Sequence, residues 1–381
     1  MLIAVVGGKL QGVEAVYLAR KAGWKTLVID KNPGAPAAGL CDRFLEFKFS
    51  FDQPVPKDCP KIDFILPAIE DDDVLALVNI WAKEQNIPLA FDKDAYRISS
   101  SKLKSDAFFK KMNLPAPRSW PDCGYPVVVK PDKASGSRGV EVFKDASAFF
   151  SRFPNRNMLQ NMVVQEYIKG PLYSVEVVGS PGRYRVLQIT DLSMDKAYDC
   201  ERVSAPAKLL LNQITRFEKM AFSIAGNIHL KGIMDVEAVL NKDQLKLLEI
   251  DARFPSQTPI AVFWSTGINM VELLGRLVLN GKILDDEPGY ERSVVVEHVL
   301  VSGSGLEVSG EHIMTQHGPL TIQPDFFGAN EAITSYTPGA EKWVATLIFS
   351  GRSDADVASR ILNCHEKILK FYNPVLQEQN F

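Results

Sequence analysis

GIMDVEAVLNKDQLKLLEID, residues 232–251, sets two short runs of alternating apolar and charged residues on either side of a polar turn. Residues 232–239 and 246–250 suit two strands of a β-hairpin joined across Asn241-Lys242-Asp243. Side chains alternate between faces with period two, so Asp235 and Glu237 lie on one face of their strand, and Glu249 and Asp251 likewise. Four carboxylates set among apolar neighbours repel one another unless a cation lies between them. Oxygen-only ligands suit Mg²⁺ or Mn²⁺ and not zinc. The plain alternative is a solvated acidic sheet face. The interleaved Ile233, Met234, Val236 and Leu247 argue against it.

Upstream stands VVVKPDKASGSRGVEVF, residues 127–143. An apolar strand ends in Lys130, a Ser/Gly loop follows, and a second strand returns. Glycines allow close backbone approach, and exposed N–H groups with serine hydroxyls can wrap a polyphosphate. A lysine at the strand end supplies a point charge for phosphate oxygens. Read alone, the segment is equally an ordinary flexible hairpin with a surface lysine. It is not a P-loop, because GxxxxGK[ST] leading into a helix is absent.

The N-terminal residues follow another pattern. Residues 2–6, 26–30 and 62–67 read as strands, and residues 11–22 and 74–85 as helices, an alternation that predicts a parallel sheet. The turn VVGGKLQG resembles a dinucleotide-binding outline, with Asp30 closing the second strand. Lys9, however, stands where GxGxxG needs its second glycine, and would crowd a pyrophosphate. A nicotinamide-dependent oxidoreductase rests on this turn alone.

Residues 99–112 read as one helix with serine N-cap candidates, and LPAPRSWPD (114–122) as a linker. Strands are expected at 126–130, 139–144, 162–167, 173–179 and 184–190, and helices at 214–225 and 269–280, the latter ended by Gly281. Strands dominate from residue 285, with a last strand at 342–350 and a helix at 353–371. The expected division is 1–98, 99–170 and 171–381. Hydrophobic content of 46%, charged content of 23% and a net charge of −3 suit a globular protein without electrostatic pull toward nucleic acid or an acidic membrane. The opening strand leaves no room for a signal peptide, and the longest apolar runs are too short to span a bilayer. Five cysteines without a CxxC pair suggest neither a zinc site nor a disulfide framework, and the expected compartment is a reducing cytoplasm. The five histidines have no motif spacing and read as structural.

A phosphate-cradling flap followed about 100 residues later by a carboxylate cluster resembles the ATP-grasp superfamily. The resemblance implies mixed α/β and α+β architecture: an N-terminal Rossmann-like parallel-sheet domain, a flap subdomain and a C-terminal α+β domain. It implies ATP and Mg²⁺ (or Mn²⁺) as cofactors. Lys130 and the loop Ser135, Gly136, Ser137, Arg138 and Gly139 match the phosphate-binding lysine and flap. Lys102 matches a second phosphate-binding lysine, with Lys104 the alternative if the register differs. VQEYIKG matches the hinge, so Glu166, Tyr167 and Ile168 should meet adenine, Glu166 and Ile168 through their backbones, and Leu248 falls among the nucleotide contacts. Asp235, Glu249 and Asp251 match the metal ligands, Asp251 replacing a more usual asparagine. Arg253 matches the arginine that steadies the transferred phosphoryl group, giving Lys130 and Arg253 the catalytic roles. Leu172 replaces a glutamate that usually holds the ribose, and Glu176 is the candidate to compensate.

Within that superfamily, GGKLQGVEA, AIEDDD and DARFPSQTPIAVFWSTGINMVELL are similar to the archaeal ligases of pyrrolysine biosynthesis. That resemblance implies a carboxylate–amine ligase whose substrates are (3R)-3-methyl-D-ornithine and L-lysine. Lys9, Leu10 and Gln11 become substrate-facing candidates. Glu70, Asp72, Glu176 and Glu237 are available for substrate ammonium groups, although Glu70 or Asp72 serves equally as an acidic N-cap of the next helix. Arg253, Ser256, Gln257 and Thr258 are suited to a substrate carboxylate or an acyl phosphate. No residue stands out as the base for the attacking amine. Superfamily relatives often dimerise, which makes a homodimer the expected assembly. A purine-pathway or carbamoyl-phosphate-type ligase is the rival within the fold.

Overall fold

The computed structural model describes residues 1–53, 55, 59–134, 136–282, 289 and 291–372. The chain divides into two compact units. Residues 1–91, 192–207 and 254–381 form the first, and residues 92–191 and 208–253 the second.

The first unit opens with β1 (Leu2–Val6), α1 (Leu10–Lys21), β2 (Lys25–Asp30), β3 (Arg43–Glu46), β4 (Phe64–Pro67) and α2 (Asp72–Glu84). The strands are all parallel, in the order β3-β2-β1-β4. A parallel strand covered on both faces reads as a continuous apolar run, and Ile3, Ala4, Val5 and Val6 are all buried. Asp71 caps α2, its carboxylate accepting from the N–H groups of Asp73 and Val74 at 3.1 and 3.0 Å. Gly12 permits the close seating of α1, since a Cβ there would lie 2.2 Å from the Gly7 carbonyl oxygen. Gly12→Ala should therefore destabilise the protein by about 3 kcal/mol, the upper range of overpacking costs. A urea melt with an unchanged midpoint would refute that close approach.

The second unit contains α3 (Lys93–Ser99), α4 (Lys102–Lys111), β5 (Val127–Pro131), β6 (Glu141–Phe143), β7 (Met162–Glu166), β8 (Leu172–Ser180), β9 (Gly232–Asn241) and β10 (Gln244–Asp251). β6-β5-β7 form one antiparallel sheet over a core of Phe143, Phe149 and Phe153. β9 pairs antiparallel with both β8 and β10. The single helix expected at 99–112 is broken into two. Ser100 caps the C-terminus of α3, and Ser101 caps the N-terminus of α4 by accepting from the Lys104 N–H at 3.2 Å. Serine competes with the backbone for hydrogen bonds, so a serine triplet marks a helix junction as readily as a helix start. The strand expected at 184–190 is also divided, ending at Val186 with a new strand beginning at Thr190.

The rest of the first unit carries α5 (Pro259–Thr266), α6 (Met270–Asn280), β11 (Ser293–Ser302), β12 (Trp343–Gly351) and α7 (Asp354–Tyr372). β11 and β12 pair antiparallel, and α7 covers them through Val357, Cys364 and Ile368, which join a core with Trp343 and Phe349. α5 begins directly after the polar bend Ser256-Gln257-Thr258. Pro259 at its first position and Gly267 in the left-handed region (φ 79°) are its start and stop. Both α5 and α6 pack on α1. Ile260 N–H donates to Glu14 Oε2 at 2.9 Å, and Asn269 Nδ2 to the Leu18 carbonyl at 2.8 Å. No single helix among the described residues is long and apolar enough to cross a membrane.

Candidate active site

The β9–β10 register sets the acidic residues directly opposite one another, Asp235 facing Asp251 and Glu237 facing Glu249. A bulge makes this row. The register shifts between Glu237 and Ala238, leaving Leu248 as the extra residue of β10. Leu245 and Leu247 are buried, and unbroken alternation would place Glu249 on their buried face. After the bulge Ile250 takes the buried face, and Glu249 and Asp251 are half-buried. Leu248 thus has a visible role in aiming the carboxylates. On the other edge of β9, Glu176 of β8 stands opposite Asp235 and is fully buried, so it extends the acidic row.

Three cations border this row. Lys102 Nζ lies 2.5 Å from Glu249 Oε1 and donates to the Ala134 carbonyl at 2.8 Å. Arg253 reaches Asp251 Oδ2 at 3.1 Å through Nη2 and Asp235 Oδ1 at 3.6 Å through Nη1. Lys130 is held below its ordinary pKa by burial, with Lys102 pushing the same way and Glu249 and Glu237 opposing. Lys104 is turned elsewhere, to the Arg97 carbonyl at 3.2 Å, so Lys102 is the lysine that meets the carboxylates. Its position is fixed from the flap strand: Asp132 Oδ1 accepts from the Ser101 hydroxyl at 2.8 Å and the Leu103 N–H at 2.9 Å.

The electrostatics fit a site made for a divalent cation. Burial drives Asp235 well above its ordinary pKa, with Asp251, Glu237 and Glu176 adding repulsion against Arg253. Glu237 is pushed from 4.5 up to about 7 by burial and by Glu249. Asp235 Oδ1 is buried and accepts no hydrogen bond. The donors are all carboxylate oxygens, as a hard cation requires. A carboxyl raised in the folded state binds a proton there that the unfolded chain has already released. Stability from this cluster is therefore greatest below the unfolded value and falls as pH rises toward 7. The thermal midpoint should decline between pH 5 and 8, and Mg²⁺ should restore it most at pH 8. A metal effect equal at both pH values would refute the assignment.

The flap turns through three residues of positive φ, Gly136 (60°), Ser137 (54°) and Gly139 (76°). At Gly139 a Cβ would meet the Pro131 ring at 2.9 Å, so glycine is required there. Arg138 lies in the same turn, and Ser135 lies outside the described residues. At the hinge, the Glu166 N–H is taken by the Arg118 carbonyl (2.8 Å) and the Tyr167 N–H by that of Pro126 (3.0 Å). The Glu166 carboxylate pairs with Lys246 at 3.0 Å. The Ile168 N–H carries no such bond among the described residues. It is the hinge donor best suited to a base.

The opening turn of the first unit is closed to a pyrophosphate. Gly8 N–H donates to Asp30 Oδ2 at 2.7 Å, and the Gly8 carbonyl accepts from the Ala37 N–H at 2.9 Å. A Cβ at Gly8 would lie 2.7 Å from that of Ala35, so the space beside the turn is filled. Asp30, which closes β2, is spent on holding the turn. Lys9 is exposed at the N-cap of α1, and Leu10 begins the helix. Gln11 Nε2 donates to Glu70 Oε1 at 2.8 Å. Asp71 is the N-cap of α2, which leaves Asp72 exposed in the first helical turn. Ser256, Gln257 and Thr258 lead directly into α5, with Gln257 Nε2 donating to Glu311 Oε1 at 3.0 Å.

Two groups escaped the sequence reading. Asp106, one turn beyond Lys102 on α4, is raised to about 6 by burial and Glu249 against Lys130 and Lys102. The i, i+4 spacing from Lys102 was its only signal. In the first unit, donor atoms of Asp199, Glu311 and His312 lie within 4.8 Å of one another, His312 Nδ1 being 2.8 Å from Asp199 Oδ1. Asp199 lies over 100 positions from the adjacent Glu311 and His312, which no spacing rule spans. Of the other histidines, His298 Nδ1 meets Thr346 Oγ1 at 2.9 Å, His365 Nε2 meets Glu297 Oε1 at 2.5 Å, and His317 Nδ1 lies 2.9 Å from the Ile313 carbonyl oxygen.

Residues 99–257 match the family described as the ATP-grasp domain. The chain is 35% identical over 364 residues to the 3-methyl-D-ornithine–L-lysine ligase of Methanosarcina mazei, covering 94% of this chain and 93% of the relative. It is 34% identical to the ligase of the same name from Methanosarcina acetivorans, over 94% of this chain and 95% of that one. Among solved structures it is similar to the biotin carboxylase domain of Hydrogenobacter thermophilus 2-oxoglutarate carboxylase bound to MgADP. That likeness has a TM-score of 0.72 at 14% identity and covers 100% of this chain and 94% of the other.

Proposed function

The chain belongs to the 3-methyl-D-ornithine–L-lysine ligase family of ATP-grasp enzymes, and from that premise we propose that it makes the amide of pyrrolysine biosynthesis. In this reading the carboxylate of (3R)-3-methyl-D-ornithine attacks the γ-phosphorus of ATP, giving an acyl phosphate and ADP. The uncharged ε-amine of L-lysine then attacks the acyl carbon. Phosphate leaves, the amine gives up a proton, and 3-methylornithyl-N6-lysine results.

The observation that carries the reading is the opposed carboxylate row, Asp235–Asp251 and Glu237–Glu249, bordered by Lys102, Lys130 and Arg253. Phosphoryl transfer asks a protein for positioning and charge compensation more than for covalent chemistry. Asp235, Glu249 and Asp251 would hold Mg²⁺, which when bound neutralises charge developing on the phosphates. Lys102 and Arg253 are paired with carboxylates and would exchange them for phosphate oxygens as nucleotide and metal enter. Lys130 and the flap would cradle the phosphates, and the hinge at Ile168 would receive adenine. Glu176 sits in the acidic row, so the ribose is assigned to no described side chain.

The test is direct. Purified protein given ATP, Mg²⁺, L-lysine and either D-ornithine or 3-methyl-D-ornithine should release ADP and phosphate and form a product of dipeptide mass. Absence of product with both diamino acids would sink the proposal. Turnover that instead follows bicarbonate or an aminoimidazole ribonucleotide would transfer the chain to the purine-pathway class.

A further inference from the structure

We infer that Asp132 is a positioning residue for phosphoryl transfer, the hub of a clip that sets Lys102 between the flap and the carboxylate row. The clip gives the serine triplet Ser99-Ser100-Ser101 a task beyond ending one helix and starting another. All of its parts belong to the second unit.

The start of α4 breaks a local rule. A helix N-terminus favours acidic side chains and disfavours cations. Yet the first turn of α4 carries Lys102 and Lys104 and no acidic residue. The missing carboxylate arrives from the strand that leads into the flap. Asp132 directly follows β5, and its Oδ1 accepts from the Ser101 hydroxyl at 2.8 Å and from the Leu103 N–H at 2.9 Å. Its carbonyl accepts from the Lys102 N–H at 3.2 Å. Ser101 Oγ accepts from the Lys104 N–H at 3.2 Å. The N–H groups of residues 102, 103 and 104, which a helix start leaves without intrahelical partners, are thus all paired. Two of the three are paired by one residue of another element. Asp132 is itself anchored, its N–H donating to the Asn161 carbonyl at 2.9 Å.

Ser99 closes the other side of the clip. It is 2% exposed, and its Oγ accepts from the Ala252 N–H at 2.9 Å. Ala252 stands between Asp251 and Arg253, at the end of the strand that carries the carboxylates. The triplet therefore ties the flap strand through Ser101 and the carboxylate strand through Ser99. Lys102 follows at once, and its ammonium spans the same two parts, from the Ala134 carbonyl at 2.8 Å to Glu249 Oε1 at 2.5 Å. A lysine is a point charge on a flexible stem, so the anchoring of its backbone decides where that charge can be delivered. A misplacement of about 1 Å can cost about a hundredfold in rate. A cation set against the local rule, and compensated from a strand 30 residues on, marks a position held for function. The inference rests on the ATP-binding part of the ligase reading and adds to it the residue that places the lysine.

The experiment measures calorimetric binding of a non-hydrolysable ATP analogue with Mg²⁺ to the full chain, with no amino acid present. Lys102→Met should weaken binding at least about tenfold, as for loss of one charge-assisted contact. Asp132→Ala should weaken it about fivefold alone, but by less than about twofold when added to Lys102→Met. The thermal midpoints of the same proteins should instead shift additively, because the cap supports α4 with or without the lysine. Asp132→Asn keeps the acceptor for Ser101 and Leu103 and loses the charge. It should bind within about twofold of the wild type while recovering only part of the midpoint. Should Asp132→Ala fail to fold, Ser101→Ala takes its place in the cycle, with about a threefold loss expected. Losses that multiply in the double variant would overturn the inference, as would wild-type affinity in Asp132→Ala, or affinity and midpoint falling together in Asp132→Asn. Wild-type protein that binds the analogue but forms no amide refutes the ligase reading alone, and the cycle still decides for or against Asp132. No binding by the wild type refutes both.

Discussion

Glu249→Gln is expected to lower ATP-dependent turnover at least about a hundredfold while leaving the fold intact. The substitution keeps side-chain volume and removes one negative charge from the carboxylate row. In the structure that charge is shared with Lys102 at 2.5 Å and faces Glu237 across the hairpin. Losing it would remove one proposed oxygen ligand of Mg²⁺ and also relieve repulsion on Glu237, since Glu249 is the leading charge that raises it. Stability should therefore hold or rise as activity falls, a combination that misfolding cannot produce. Circular dichroism and a thermal melt report the first quantity, and ADP release over a Mg²⁺ titration the second. A Glu249→Gln protein with full activity and ordinary Mg²⁺ dependence would show that Asp235 and Asp251 hold no metal with it.

What the sequence made legible follows from which interactions are local. The alternation of residues 232–251 was enough to predict the hairpin and the shared face of its carboxylates, because strand period and turn chemistry act over a few residues. The bulge at Leu248 was not readable, although it is what aims Glu249 away from the buried face of Leu245 and Leu247. A one-residue register shift leaves no compositional trace when both candidates for the extra position are leucine. The helix junction at Ser100 and Ser101 was hidden for a related reason: serine is favourable at either kind of helix end, and the deciding partner, Asp132, lies 31 residues away. The grouping of residues 254–381 with residues 1–91 was invisible, since it rests on contacts such as Glu14 with Ile260, 246 positions apart. The Gly7-Gly8 turn is the instructive case. Its strand-turn-helix architecture was correctly expected, and Lys9 already argued against a dinucleotide. The structure adds that Ala35, Ala37 and Asp30 fill and bind the turn from outside the motif.

Arg253 is where stability and catalysis should come apart most clearly. Its guanidinium is only 12% exposed and spans Asp235 and Asp251, the one described cation reaching both in the ion pairs of this row. Arg253→Ala would leave two largely buried carboxylates facing each other, and breaking a buried pair from one side costs about 3 kcal/mol or more. The loss should be smaller at pH 5 than at pH 8, because Asp235 is already raised by burial and would take up a proton once its cation is gone. Mg²⁺ should recover part of the stability at pH 8 by replacing the missing charge. It should not recover turnover, expected to fall at least about a hundredfold, because a metal held by the carboxylates cannot reproduce the fork of N–H donors on a phosphoryl group. Arg253→Lys sharpens the distinction. A single ammonium restores the charge but not the bidentate span from Asp235 to Asp251, so stability should return further than kcat. Equal recovery of both in Arg253→Lys would mean that Arg253 acts on the carboxylates alone, and that some other group meets the phosphate in transfer.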